Sequence, residues 1–283
     1  MTTHFIPKYV GNIQQTNDGV RFEIQGYEAT RLPHTPGWLT GETPEDQGIE
    51  TGMPNLPQDL QLPELTTNSL QAQVRVLGPQ TIRLTVAPAG HQLWGEPAIW
   101  PGIMVSETNG ATDFTVNESA DALEIAAAGA TLRIGLKPFA ISLHRDGTQL
   151  LRTGERLRQV AGFPMAPPML STEGEISLNL EMGIGEKIFG FGEQFSSLAK
   201  NGQKLELVVN DALGTGTGLA YKPVPLWHST AGYSAFVNTG AVLTADVGHE
   251  RPSVLGITLD DEALDLILFA APTPRSGSST TPR

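Results

Sequence analysis

The sequence predicts an all-β protein, a large antiparallel β-sandwich. Three observations carry the prediction: short segments in which apolar and polar residues alternate, turn residues between them, and almost no helical periodicity. Composition agrees. Only 17% of the 283 residues are charged, while 31 are glycine and 21 proline, a balance that favours many short strands over helices. Hydrophobic residues make up 39%, which suits a packed core.

Taken in order, residues 30–65 are rich in Pro and Gly with little periodicity and read as a long surface excursion. From Leu70 the pattern changes. Leu70, Ala72, Val74 and Val76 alternate with polar residues, the turn Gly78-Pro79 follows, and Ile82, Leu84 and Val86 repeat the alternation as a hairpin partner. Short strands are predicted over Asp113–Val116, Ala122–Ala126 and Thr131–Leu136. Ile141–His144 and Thr148–Leu151 flank Asp146-Gly147, a dipeptide suited to a tight hairpin. Ile176, Leu178, Leu180 and Met182 share one face of a further strand. A strand pair spans Leu226–Asn238, and Leu264–Phe269 closes the set. No internal repeat is visible. The tail 275–283, RSGSSTTPR, is low-complexity and predicted to be disordered.

Several function classes fall away. A net charge of −12 with a pI near 4.9, and no basic stripe, excludes a nucleic-acid binder. The absence of cysteine excludes disulfides, thiolate catalysis and cysteine metal sites. No run of about 18 apolar residues could span a membrane. MTTHFIPKYVGNIQQ lacks the charged start and apolar run of a leader, so the expected compartment is the cytoplasm.

The stretch GFGEQFSSLAKNGQKLELVVND, residues 190–211, carries the most chemistry. A phosphate loop needs a strand before it and a helix after. GFGEQFSSLAK could supply one helical turn, but no βαβ pattern surrounds it and no Gly-Lys-Ser/Thr follows. The glycines read instead as permitting a sharp reversal where Phe189, Phe191 and Phe195 pack. Glu193 and Asp211 could form an acid/base pair across a glycosidic bond, yet two carboxylates in a polar loop are more often solvated. His4, His34, His91, His144, His228 and His249 stand singly, none at metal-ligand spacing. Trp38, Trp94, Trp100 and Trp227 could each stack on a sugar ring, although core packing is the commoner use.

At this point the chain resembles the N-terminal domain of family 31 glycoside hydrolases, in particular the α-xylosidase and α-glucosidase branch. The resemblance rests on GFGEQFSSLAKNGQ (190–203), the strand into Asp211, AYKPVPLW (220–227), GYSAFVN (232–238) and PTPR (272–275), in that order and spacing. VRVLGPQTIRL (74–84) is similar to the early hairpin of that domain. The resemblance covers about residues 70–275. It departs at Val208, Val209 and Asn210, where the family commonly has Trp-Asn-Arg, and at Ser234, where it has glycine.

The resemblance implies one galactose-mutarotase-like β-sandwich over residues 1–274, packed beside a (β/α)8 barrel that carries both catalytic aspartates of a retaining glycosidase. It implies that Asp211 binds the substrate sugar, an α-linked oligosaccharide or glycoside, and that no metal or organic cofactor is needed. Phe191, Glu193, Phe195, Tyr221 and Trp227 are the expected barrel-facing residues. Catalytic residues are expected in the barrel and not in this chain, so the chain alone is expected not to hydrolyse. Residues 276–283 are unlike the family. One frame over, Arg-Ser-Gly-Ser-Ser-Thr-Thr can read as Val-Arg-Glu-Gln-Tyr-Asn-Thr, similar to the family's next helix, so the end is expected to be frameshifted or truncated. Two rivals stand beside this reading: a free-standing carbohydrate-binding module, and a mutarotase-like epimerase with a His and a Glu converging in a cleft.

Overall fold

The computed structural model describes residues 3–29, 68–94, 113–154, 159–160, 163–164, 167–211, 214, 216 and 218–270. The predicted excursion at 30–65 and the tail at 275–283 lie outside these residues. Two hairpins open the chain: β1 (His4–Thr16) with β2 (Gly19–Ala29), and β3 (Ser69–Gly78) with β4 (Thr81–Pro88). A five-stranded meander follows, β5 (Thr115–Glu118), β6 (Ala122–Ala127), β7 (Ala130–Leu136), β8 (Phe139–Arg145) and β9 (Thr148–Arg152). β10 (Gln159–Val160) and β11 (Phe163–Pro164) form a two-stranded ladder.

The remaining strands are β12 (Met169–Thr172), β13 (Glu175–Glu181), β14 (Ile188–Gly192), β15 (Gln203–Leu207) and β16 (Pro223–Ser229). They continue with β17 (Tyr233–Val237), β18 (Leu243–Val247), β19 (Val254–Leu259) and β20 (Leu264–Phe269). Together with β1–β4 they make one 13-stranded antiparallel sheet, in the order β14-β16-β17-β20-β4-β3-β2-β1-β12-β13-β19-β18-β15.

Its two edges, β14 and β15, are consecutive in the chain, joined only by residues 193–202. Thirteen strands laid flat at about 4.8 Å spacing would separate the edges by about 58 Å. Ten residues reach only about 40 Å. The sheet therefore curls until its edges approach, and the five-stranded meander packs against its inner face. One core runs through both sheets, from Val74, Leu84 and Leu178 on the curled sheet to Leu132, Ile134 and Ile141 on the meander. The alternation read from the sequence thus marks the inner face on β3, β4, β7, β8 and β13.

Around β4, β20 and β17 the outer face is buried as well. Phe236, Ile267 and Phe269 form a second apolar cluster there. Beside it, Arg83 clasps Asp265 through two bonds, Nε to Oδ1 at 2.7 Å and Nη2 to Oδ2 at 2.6 Å. Asn238 Nδ2 donates to the same carboxylate at 2.6 Å. Both charged side chains are buried, and this bidentate, hydrogen-bonded arrangement is the one in which a buried pair is tolerable.

Candidate functional site

The site grows from β14. Inward-pointing residues on a strand normally sit two apart, but here Ile188 and Phe191 are both buried, three apart. The extra residue is a bulge, seen as a register shift against β16 between Gly190 and Gly192. Its backbone is left-handed throughout, with φ of 115° at Gly190, 65° at Phe191 and 80° at Gly192. A Cβ at Gly190 would stand 2.5 Å from the Leu226 carbonyl oxygen, and one at Gly192 would stand 2.2 Å from that of Lys222. The two glycines are thus required by strand pairing. No helix follows; residues 193–200 form bends.

The bulge turns Phe191 inward, where its ring stacks on Trp227 at 5.7 Å. Both are fully buried. This corrects the expectation that Phe191 and Trp227 face outward toward a barrel: they are core. Trp227 follows from the pairing of β16, which sends Pro225, Trp227 and Ser229 inward. Among the described residues its indole N–H has no well-formed hydrogen bond, and the Tyr233 hydroxyl lies beside it. Burial and the nearby Glu186 carboxylate push the Tyr233 hydroxyl well above its ordinary range.

From Gly192 the chain runs back along the edge of β14. Gln194 Nε2 donates to the Phe191 carbonyl at 2.9 Å, and Lys200 N donates to that of Ile188 at 2.8 Å. Asn201 staples the seam, accepting from Ile188 N at 3.1 Å and donating to the Glu186 carbonyl at 3.0 Å. The buried Lys200 ammonium donates to Ser196 Oγ at 3.0 Å and to the Ser197 carbonyl at 2.8 Å. Burial lowers its pKa. These bonds leave the unpaired edge of β14 covered, as a sheet edge requires.

Past β15 the chain is pinned by a parallel bridge between Val209 and Ala220, with Asn210 N donating to the Ala220 carbonyl at 3.1 Å. Asp211 comes next. It is exposed, and its carboxylate makes no hydrogen bond among the described residues. Glu193 N donates to the Lys222 carbonyl at 3.1 Å, which brings the 193–199 segment against the 220–224 segment. The Glu193 carboxylate faces Lys222 Nζ at 3.5 Å; no bond joins it to Asp211. Around this end stand Phe195, 45% exposed, Tyr221, 46% exposed, and Val209, 75% exposed, together with Val224 and Leu198. Glu193, Phe195 and Tyr221 are thus exposed, unlike Phe191 and Trp227. The exposed Val209, Val224 and Leu198 were not singled out from the sequence, although valine and leucine in a polar loop are the available signal.

Two histidines of the described residues bond serine hydroxyls. His228 Nδ1 bonds Ser234 Oγ at 2.7 Å across β16 and β17, and His144 Nε2 bonds Ser142 Oγ at 2.9 Å. Burial lowers both pKa values; for His144, Arg133 adds to the lowering and Glu124 opposes it. Among the described residues no three His, Cys, Asp or Glu side chains cluster as a metal site, and no helix is long and apolar enough to cross a membrane.

With this geometry in view, comparison with known proteins is decisive. The pattern of the glycosyl hydrolase 31 N-terminal galactose mutarotase-like domain matches residues 71–246, more than half the chain. The chain belongs to that family. It is 35% identical over 96 residues, 34% of its length, to the α-xylosidase XylQ of Lactiplantibacillus pentosus, of which it covers 12%. Against the α-xylosidase of Emericella nidulans it is 31% identical over 103 residues, 36% of the chain and 13% of that enzyme. In solved structures the fold recurs in a family 31 α-xylosidase from a soil metagenome. That likeness has a TM-score of 0.59 at 21% identity, over 74% of this chain and 31% of that one. The chain thus spans about an eighth of the curated relatives it matches, and corresponds to the N-terminal galactose mutarotase-like domain of family 31 enzymes.

Proposed function

We propose that this domain lines the substrate site of a retaining α-glycosidase of the α-xylosidase or α-glucosidase type, docked beside a (β/α)8 barrel that supplies both reacting carboxylates. One observation carries the reading: Asp211 is an exposed carboxylate with no hydrogen bond among the described residues, just past the bridge that pins Val209 to Ala220. A carboxylate there can accept from two sugar hydroxyls, each charge-assisted bond contributing about 1.5–3 kcal/mol. Phe195, Val209, Tyr221 and Val224 supply apolar surface for the partner domain. Glycoside hydrolysis needs two positioned carboxylates flanking the bond; in this reading the barrel supplies both.

The test is direct. The purified 283-residue chain, assayed on 4-nitrophenyl α-xyloside and α-glucoside, is expected to show no turnover. Turnover that Asp211→Ala or Glu193→Ala abolishes would give the β-domain its own active site and overturn the proposal.

A further inference from the structure

A second site lies at the middle of the curled sheet. β2 is the seventh of thirteen strands, as far from either edge as the order allows. On its outer face, with β1 and β3, lies a groove of about 410 Å³, a size that accommodates a small organic ligand. Asn12, Gln14, Arg21, Glu23, Gln71 and Trp94 are among its lining residues. We infer that this groove binds a neutral oligosaccharide, with the Trp94 ring as the stacking surface.

Three independent features favour a built site over an ordinary solvated strand face. The first is a bulge. The β1–β2 register shifts between Gly11 and Gln14, and Asn12 takes a left-handed φ of 51°, a conformation that asparagine adopts more readily than most residues. Bulges bend a strand and re-aim its side chains; this one sets the Asn12 amide against the Glu23 carboxylate, to which it donates. The second is the indole. Trp94 ends a 3₁₀ turn, Gln92–Trp94, and its Nε1 donates to the Pro88 carbonyl at 3.0 Å. One edge packs on Ala87, Leu93 and Ala263. The half-buried ring is thereby fixed before any ligand arrives, which removes an ordering cost from binding. The third is unused hydrogen-bonding capacity: Gln14, Arg21 and Gln71 make no side-chain hydrogen bond or ion pair among the described residues.

The chemistry of the lining selects the ligand class. Arg21 and Glu23 cancel in charge, so the groove has no net preference for an anion or a cation. Carboxamides offer a donor and an acceptor side by side, which matches vicinal hydroxyls. An aromatic face suits the apolar C–H face of a pyranose. A neutral polyhydroxylated chain satisfies all three.

Calorimetric titration of the full chain with maltotetraose, and separately with isomaltotriose, tests the inference. Saturable binding of at least one sugar is expected, with Kd on the order of 1 mM. Trp94→Ala should weaken it about tenfold or more and Gln71→Ala about threefold. Trp94→Phe, which keeps an aromatic face, should retain binding if loss in the alanine variant is not a folding defect, and circular dichroism checks the fold of each variant. No binding of either sugar overturns the inference. So does binding that survives Trp94→Ala and is lost in Asp211→Ala, which would return recognition to the loop. Equal affinity for glucose 6-phosphate would overturn the neutral-ligand assignment.

Discussion

Along β17, β20 and β4 the curled sheet is buried on both faces, while around β14 and the start of β16 it leaves Phe195, Val209, Tyr221 and Val224 in water. The first region even buries charge, because Arg83, Asp265 and Asn238 satisfy one another. The second holds a bare carboxylate, Asp211, in the open. The difference separates what the domain needs to fold from what it has left to offer. Side chains that serve the fold are enclosed whatever their polarity. Those at the seam are apolar yet exposed, an arrangement that stabilises nothing until a second surface covers it.

The sharpest way to break this contrast is to remove one partner of the buried pair. Asp265→Ala removes the carboxylate that clasps the buried Arg83 guanidinium through two bonds, and a loss of about 3–5 kcal/mol is expected. That is a large fraction of the total for a single domain. Urea unfolding followed by circular dichroism measures it. A loss below about 1 kcal/mol would mean that water reaches the pair and that the first region is not closed.

The second prediction works at the seam, where the expected change is in association and not in stability. Exposed apolar groups drive self-association, so the chain should form concentration-dependent oligomers in light scattering. The double variant Phe195→Ser, Tyr221→Ser should shift the population toward monomer, with a stability change within about 0.5 kcal/mol per site, since neither side chain is buried. A native chain that stays monodisperse at high concentration would remove the argument for an uncovered surface.

How much of this could be read from the sequence follows from how regular each strand is. The β3–β4 hairpin and the meander β5–β9 were legible because one face is apolar and the other polar, so period two is visible. β1 and β2 were not. Pro7 interrupts the pattern, and register shifts at Pro7/Tyr9 and Gly11/Gln14 put successive inward residues out of step. β18 and β19 were missed as well, although their buried residues alternate along much of each strand.

At the site, Asp211 was singled out through the resemblance of the blocks around it. Trp227 misled because Val224, Pro225, Leu226 and Trp227 are four apolar residues in a row, which conceals which face is inward. Phe191 misled because a left-handed residue between two glycines escapes the alternation rule altogether. Local periodicity fails where the backbone is bulged, and here the bulge is what shapes the seam.

His228 lies at the border of the two regions, on the outer face of β16 beside Ser234, and gives the smallest expected effect. Burial lowers its pKa below the ordinary value near 6.5. The folded state thus favours the neutral imidazole, and the unfolded chain takes up the proton first as pH falls. The stability it contributes is fully present above about pH 6.5 and is lost as pH drops through that value toward the lowered one. His144 is shifted the same way, so removing His228 alone should reduce the slope and not abolish it. Unfolding midpoints at pH 7.5 and 5.5 should therefore differ less in His228→Gln than in the native chain. An unchanged difference would mean that His228 is as solvated as the seam, and would move the border between the regions inward to β17.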